Sequence, residues 1–248
     1  MTMRSRASTV MPRRPCAMEL MTQTNTSVES QRLLTATLIA GLIAAATALL
    51  LFSWLGREIV AGVTPAVDEG FRQMIHSHAS PRITPIMIAA SLYGGPSWLV
   101  PLGLGLALAF LIHGWHRGAL LVVITLAGAG LLNILLKQSF ARTRPAPFFD
   151  YPLPSSASFP SGHAFFAASF LGGLAVLLTS RIRSLAIKIG LWLLVLALIL
   201  LIGFSRVYLG VHYPSDVFAG YAAAVVWVTA VALGDRIAGR RKHRRRSA

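Results

Sequence analysis

LAIKIGLWLLVLALILLIGFSRVYLGVHYPSD, residues 185–216, joins an apolar run to a set of polar side chains with no linker between them. Leu185 to Phe204 carries a single charge, Lys188. At 1.5 Å rise per residue, a helix of that length covers the roughly 30 Å of a bilayer's hydrocarbon. Ser205, Arg206, His212 and Asp216 follow within the next twelve residues. A cation, a histidine and a carboxylate at the end of such a run place chemistry at a membrane surface.

Five more runs surround this one. Leu33–Leu55, Gly118–Leu136, Gly162–Ser180 and Ser215–Gly234 each have the length and apolarity of a span. Ile83–Ile112 is uncharged but broken by Gly94-Gly95-Pro96, which predicts a short membrane-dipping segment and then a span starting near Ser97. Residues 56–82 mix charges with Gly and Pro and read as an interfacial loop with some amphipathic helix. Prolines 145, 147, 152, 154 and 160 exclude a helix between the third and fourth spans. The expectation is an all-α polytopic membrane protein, six transmembrane helices in a bundle. Residues 1–32 are expected as a disordered basic tail, 33–234 as the membrane domain and 235–248 as a second basic tail.

Composition agrees. Apolar residues make up 55% of the 248 and charged residues 12%, whereas a soluble domain has about a quarter of its residues charged. The net charge of +15 would suit nucleic acid, but the cations sit in the tails and in short loops between apolar runs. Anionic headgroups of membrane lipids, and no nucleic acid, are the expected neighbours. Cys16 is the one cysteine, so an internal disulfide is excluded. The Arg-rich, acid-poor first 32 residues have no apolar signal-peptide core, and a disordered tail is preferred over a transit peptide.

Charge distribution predicts the orientation. An even number of spans puts both termini on one side. That side collects sixteen of the 23 Lys and Arg residues; Arg57, Arg72, Arg82, Lys137, Arg142, Arg144 and Arg206 fall on the other. Because Lys and Arg are enriched in cytoplasmic segments, the termini are expected in the cytoplasm and the polar clusters on the extracytoplasmic face.

Three clusters share that face. Lys137 and Arg144-Pro145 follow the third span, and a point charge and a planar fork seven residues apart can converge on one anion; they also read as two snorkelling cations. Pro160-Ser161-Gly162-His163 opens the fourth span, where a serine cap and a glycine expose N–H groups to a phosphate; a plain capping turn with an interfacial histidine fits as well. In Ser205-Arg206-x5-His212-x3-Asp216 the carboxylate lies close enough to bond one imidazole nitrogen and leave the other free as a nucleophile. A helix cap paired with a nearby cation is the alternative.

Taken in order, these clusters resemble the three-part signature of the type 2 phosphatidic acid phosphatase superfamily, which also contains vanadium-dependent haloperoxidases and glucose-6-phosphatase. Every signature position is filled, and the resemblance covers residues from about 97 to 234. It implies His212 as nucleophile forming a phosphohistidine, Asp216 orienting it, and His163 as general acid and then base. It implies Lys137, Arg144, Arg206 and the backbone around Ser161 and Gly162 as the phosphate cradle.

The expected function is hydrolysis of a lipid phosphate or diphosphate in a bacterial inner membrane. Undecaprenyl diphosphate is the first choice, with phosphatidylglycerol phosphate, phosphatidic acid and a lipid A phosphate as other candidates. A lipid phosphotransferase using the same intermediate and a noncatalytic lipid-binding or transport protein are the alternatives; a haloperoxidase is disfavoured, since those enzymes are soluble. No cofactor and no metal are expected, because the chain has only eight acidic residues and Asp216 is already committed. His76 and His78 are read as structural or interfacial rather than as metal ligands, and Phe148, Phe149 and Tyr151 as interfacial aromatics that also shape a lipid entrance.

Overall fold

The computed structural model describes residues 17–246. Among them are eight helices and no strand: α1 Ala17–Val60, α2 Pro65–Ser77, α3 Thr84–Tyr93, α4 Pro96–Ile112, α5 His116–Phe140, α6 Gly162–Thr179, α7 Leu185–Tyr208 and α8 Pro214–Arg246. The chain divides into two compact units, residues 1–41 and 42–248. The described part of the first consists of the opening turns of α1; the second contains everything discussed below.

Five helices are long and apolar enough to cross a membrane, and α3 with α4 forms a sixth candidate bent by 49°. The bend falls at Gly94-Gly95-Pro96. Gly95 is extended (φ −79°, ψ 158°) and caps α4, with Pro96 in the first turn, the one helical position where the missing N–H costs nothing. Helix ends differ from the sequence expectation. Residues 17–32, expected as a disordered tail, are helical because no Pro or Gly interrupts the chain between Ala17 and Ala40; residues 1–16 lie outside the described set. Likewise α8 continues through the expected C-terminal tail to Arg246. Lys137, Ser205 and Arg206 sit in the last turns of α5 and α7 rather than beyond them.

The surface is apolar where a soluble protein's is polar. Leu50, Ile112 and Leu193 are 72%, 73% and 63% exposed, as expected for side chains that face hydrocarbon. Helix α2 shows the same inversion within one element. Asp68 and Arg72 are buried on its inner face, while Val67, Phe71 and Met74 are exposed on its outer face, the pattern of a helix lying in the interface.

Helix α6 packs against α4, α5, α7 and α8, and small residues set the spacing. Gly103 admits Leu126 and Phe170, and Gly128 lies so close to the Trp227 ring that a methyl group has no room, the close approach that helix pairs in lipid depend on. Leu99, Val122, Leu126, Phe165, Phe166 and Phe170 fill the space between. The up-down course of α5 to α8 brings the C-terminus of α5, the N-terminus of α6, the C-terminus of α7 and the N-terminus of α8 to one end.

Candidate active site

The link from α7 to α8 is five residues long and tightly tied. Leu209, Gly210 and Val211 donate back to Ser205, Val207 and Arg206. Gly210 has φ +76° and lies against Phe148, a combination that favours glycine. His212 follows, 1% exposed. Asp216, in the first turn of α8, accepts the N–H of Tyr213 at 3.0 Å, the reach-back of a capping box. The same carboxylate Oδ2 lies 3.3 Å from His212 Nδ1 and takes the Ser158 hydroxyl. Capping and orientation, posed as alternatives by the sequence, are both present.

The hydrogen bonds set the histidine's tautomer. Arg144 Nη1 lies 2.9 Å from His212 Nε2, and a guanidinium only donates. Nε2 therefore presents its lone pair, and the proton sits on Nδ1 facing Asp216. Burial lowers the His212 pKa to about 3, with Arg144 and Arg206 adding to the effect and Asp216 opposing it. The imidazole is neutral, as a nucleophile must be.

Three cations surround it. Arg144 also donates to Val211 O at 2.9 Å and to Ser156 O at 2.7 Å, and Lys137 donates to Ala157 O. Arg206 is 1% exposed; its Nη1 donates to Ser91 Oγ, while its Nε is buried with no acceptor. Burial and the neighbouring Arg206 lower the Arg144 pKa to about 10, against Asp216. A group of cations with one shared carboxylate favours an anion.

His163 completes the cluster, within electrostatic reach of Arg206, His212, Arg144 and Lys137. Ser161 caps α6, accepting from Ala164 N at 3.5 Å. Its own N–H is committed to Asp216 O at 2.9 Å, so the donors at this helix start are those of Gly162 and His163 rather than Ser161. Gly162 lies close to Asn133, and a Cβ there would come 3.2 Å from Asn133 Oδ1, a tight approach.

The candidate site residues Lys137, Arg144, Ser161, Gly162, His163, Arg206, His212 and Asp216 thus lie at one end of the bundle. Residues 118–237, a stretch that contains all three clusters, match the family model described as PAP2 superfamily. Phosphatidylglycerophosphatase B of Bacillus subtilis is 30% identical over 180 residues, covering 71% of this chain and 87% of the relative. The chain belongs to the PAP2 superfamily. Undecaprenyl-diphosphatase of Sulfolobus acidocaldarius is 29% identical over 154 residues, 60% of this chain and 69% of the relative. The crystal structure of a transmembrane PAP2 type phosphatidylglycerolphosphate phosphatase from Bacillus subtilis superposes with a TM-score of 0.70 at 28% identity, covering 77% of this chain and 96% of that one.

Within this candidate site of the PAP2 protein the sequence reading missed several contributors. Ser158 bonds Asp216, and nothing but its place just ahead of the second cluster pointed to it. Arg142, counted only as an interfacial charge, pairs with Asp216 Oδ1 at 2.7 Å and Asp68 Oδ2 at 2.7 Å. Tyr151, grouped with Phe148 and Phe149, donates its N–H to Phe148 O at 3.2 Å but sends its side chain to different partners. Its hydroxyl bonds Ser91 Oγ at 3.1 Å, and its ring faces Arg206 at 5.6 Å. Phe148 instead stacks on His76 at 3.8 Å under Arg72, and Phe149 stacks on Tyr208 at 5.6 Å. That stacking fits the structural reading of His76. Among the described residues no three His, Cys, Asp or Glu side chains form a set able to hold a metal.

The break between α3 and α4 is also part of the site. A Cβ on Gly95 would lie 2.9 Å from His163 Nε2, closer than side-chain atoms pack. Gly95→Val is expected to push His163 aside and lower kcat about 100-fold while the folded yield in detergent stays near wild type. A variant with unchanged kcat would show that His163 is not held against this backbone during turnover.

An apolar cavity of about 780 Å³ opens between α1, α2, α7 and α8, with Trp54, Phe71, Phe204 and Phe218 in its walls and Asp68 and Ser215 at its polar end. Its lining includes neither histidine and none of the three cations of the cradle.

Proposed function

We propose that this multi-pass membrane protein hydrolyses a lipid phosphate or diphosphate through a phosphohistidine at His212. The observation that carries the reading is the buried His212, with Nδ1 3.3 Å from Asp216 Oδ2 and Nε2 2.9 Å from Arg144 Nη1, beside Lys137 and Arg206. Nε2 attacks the terminal phosphorus, and its bond to the leaving oxygen breaks, the alcohol oxygen of a lipid monophosphate or the bridging oxygen of a lipid diphosphate. His163 delivers a proton to that oxygen, and Asp216 stabilises the imidazolium that forms. Water then attacks the phosphoimidazole, His163 takes a proton from it, the N–P bond breaks and phosphate leaves. Lys137, Arg144, Arg206 and the N–H groups of Gly162 and His163 hold the equatorial oxygens while charge redistributes; a donor of this kind contributes about 3 kcal/mol in the transition state.

The excess of Lys and Arg in the terminal segments and the loops on their side supports cytoplasmic termini and an extracytoplasmic site. Undecaprenyl diphosphate is the preferred substrate, because it presents its diphosphate on that face and a relative carries the matching name. Phosphatidylglycerol phosphate is the second reading, favoured by the relative matched over the larger share of both chains.

The test is phosphate release by purified protein from each of these lipids and from phosphatidic acid, presented in detergent micelles. Release is expected to persist in EDTA and to stop with vanadate, a mimic of pentacoordinate phosphorus. Activity lost on chelation and restored by Mg2+ would contradict the mechanism. Lipid alcohol formed without matching free phosphate, in the presence of an alcohol acceptor, would indicate the phosphotransferase. No release from any lipid would leave the binding or transport reading.

A further inference from the structure

The interfacial helix α2 reaches the nucleophile through buried charge. Asp68 accepts from the N–H of Ser215 at 3.1 Å and from its hydroxyl at 2.5 Å, which ties α2 to the first turn of α8. Its Oδ2 also takes Arg142 Nη2 at 2.7 Å. Arg142 Nη1 spans Ser215 Oγ at 2.8 Å and Asp216 Oδ1 at 2.7 Å, and the guanidinium lies over the Tyr213 ring at 4.1 Å. The side chains of Arg142, Asp68 and Asp216 are 9%, 6% and 0% exposed.

Two points separate this arrangement from ordinary packing. Buried ion triads are seldom stabilising relative to apolar residues of similar volume, so fold stability alone is a poor account of one. In addition, Arg142 pins Oδ1 and leaves Oδ2 to face His212. The polar contacts of its side chain are with Asp68, Ser215 and Asp216, and none is with His163, Lys137 or Arg206. The triad carries a net charge of −1, opposite to the imidazolium that forms when His212 is phosphorylated. Burial works against the charge on Arg142, yet Asp216 and Asp68 together hold its pKa above the ordinary value, so the fork stays charged.

We infer that Asp68 and Arg142 are positioning residues of the reaction, acting through Asp216 on His212, and that α2 is thereby part of the catalytic framework. This inference rests on the phosphatase reading above. Sequence gives no hint of it, since Asp68 lies 147 residues from Ser215 and outside the matched residues 118–237.

The test is a double-mutant cycle on the full chain in detergent, with Arg142→Met and Asp68→Asn each made alone and in an Asp216→Asn background. Phosphate release from a short-chain soluble phosphate and from a micellar lipid phosphate gives kcat and KM. Each single variant is expected to lower kcat about 100-fold, with KM little changed for either substrate. In the Asp216→Asn background neither is expected to lower it further, and Arg142→Lys should recover part of the loss.

Losses that multiply with Asp216→Asn would overturn the inference in favour of a general structural role. A rise in KM at constant kcat would overturn it in favour of direct substrate contact. Should Arg142→Met fail to fold, Asp68→Asn, which removes a charge at constant shape, carries the cycle with Arg142→Lys. Wild-type protein that releases no phosphate would overturn the parent reading and this inference with it. Active wild type with multiplying losses would overturn this inference alone.

Discussion

His212→Gln is expected to lower kcat by about a millionfold, the scale on which loss of a nucleophile acts when the rest of a site is intact. Glutamine has a similar reach and can accept a hydrogen bond from Arg144, so the cradle of Lys137, Arg144 and Arg206 should still bind the substrate's phosphate. The expected signature is therefore a collapse of kcat with KM changed only modestly. His212 is buried and in contact with Asp216, Ser158 and Arg144, so thermal unfolding of the purified variant should be recorded alongside. A fall in kcat of tenfold or less, with the protein folded, would mean that another atom attacks phosphorus.

Asp216→Asn comes next in size, about 10,000-fold in kcat, by the logic of a carboxylate that fixes a histidine tautomer. The carboxylate accepts on both oxygens: Oδ1 from Arg142, and Oδ2 from Ser158, Tyr213 N–H and His212 Nδ1. Asparagine offers one oxygen, so one side must present NH2 to groups that donate. The guanidinium of Arg142 bonds more strongly than the neutral donors, and it cannot become an acceptor, so the oxygen turns to Arg142 and the NH2 to His212. Nδ1 must then accept, and the proton moves to Nε2, where it meets the donating Nη1 of Arg144 at a spacing of 2.9 Å. The nucleophilic lone pair is lost and its cradle disturbed together. Imidazole 15N shifts of folded protein report the tautomer directly. A variant that keeps the wild-type shifts and most of its kcat would contradict this account of Asp216.

What the sequence revealed depended on the range of the interaction. Apolar runs are local, so the span of α7 and the break at Gly94-Gly95-Pro96 were legible within a few residues. Helix ends were less so. Lys137 was read just past the end of a span and Arg206 in the segment bridging two spans, because charge normally closes a span, yet each is carried inside a helix where its ammonium or guanidinium reaches polar groups of neighbouring segments. His212 and Asp216 were legible as a pair because four residues separate them and a capping turn closes that distance. Arg142 was read as one more interfacial cation, since nothing in its neighbourhood reveals that Asp68 and Asp216 flank it. The contact of Tyr151 with Arg206 was not legible, because aromatic character does not say which side of a proline-rich segment faces a given cation. The partner of Gly95 was hidden for the same reason: the break was plain, but not that His163 fills the space a side chain would take.

The central claim is that phosphorus becomes bonded to His212. Brief mixing of purified protein with a lipid phosphate labelled on its terminal phosphorus, followed by alkaline quench and peptide mapping, addresses it directly. The account predicts a phosphoramidate that is stable to alkali and labile to acid, located on the peptide containing His212 and missing from His212→Gln. Label on a different residue, or turnover by wild type with no labelled protein at any quench time while His212→Gln remains active, would contradict it.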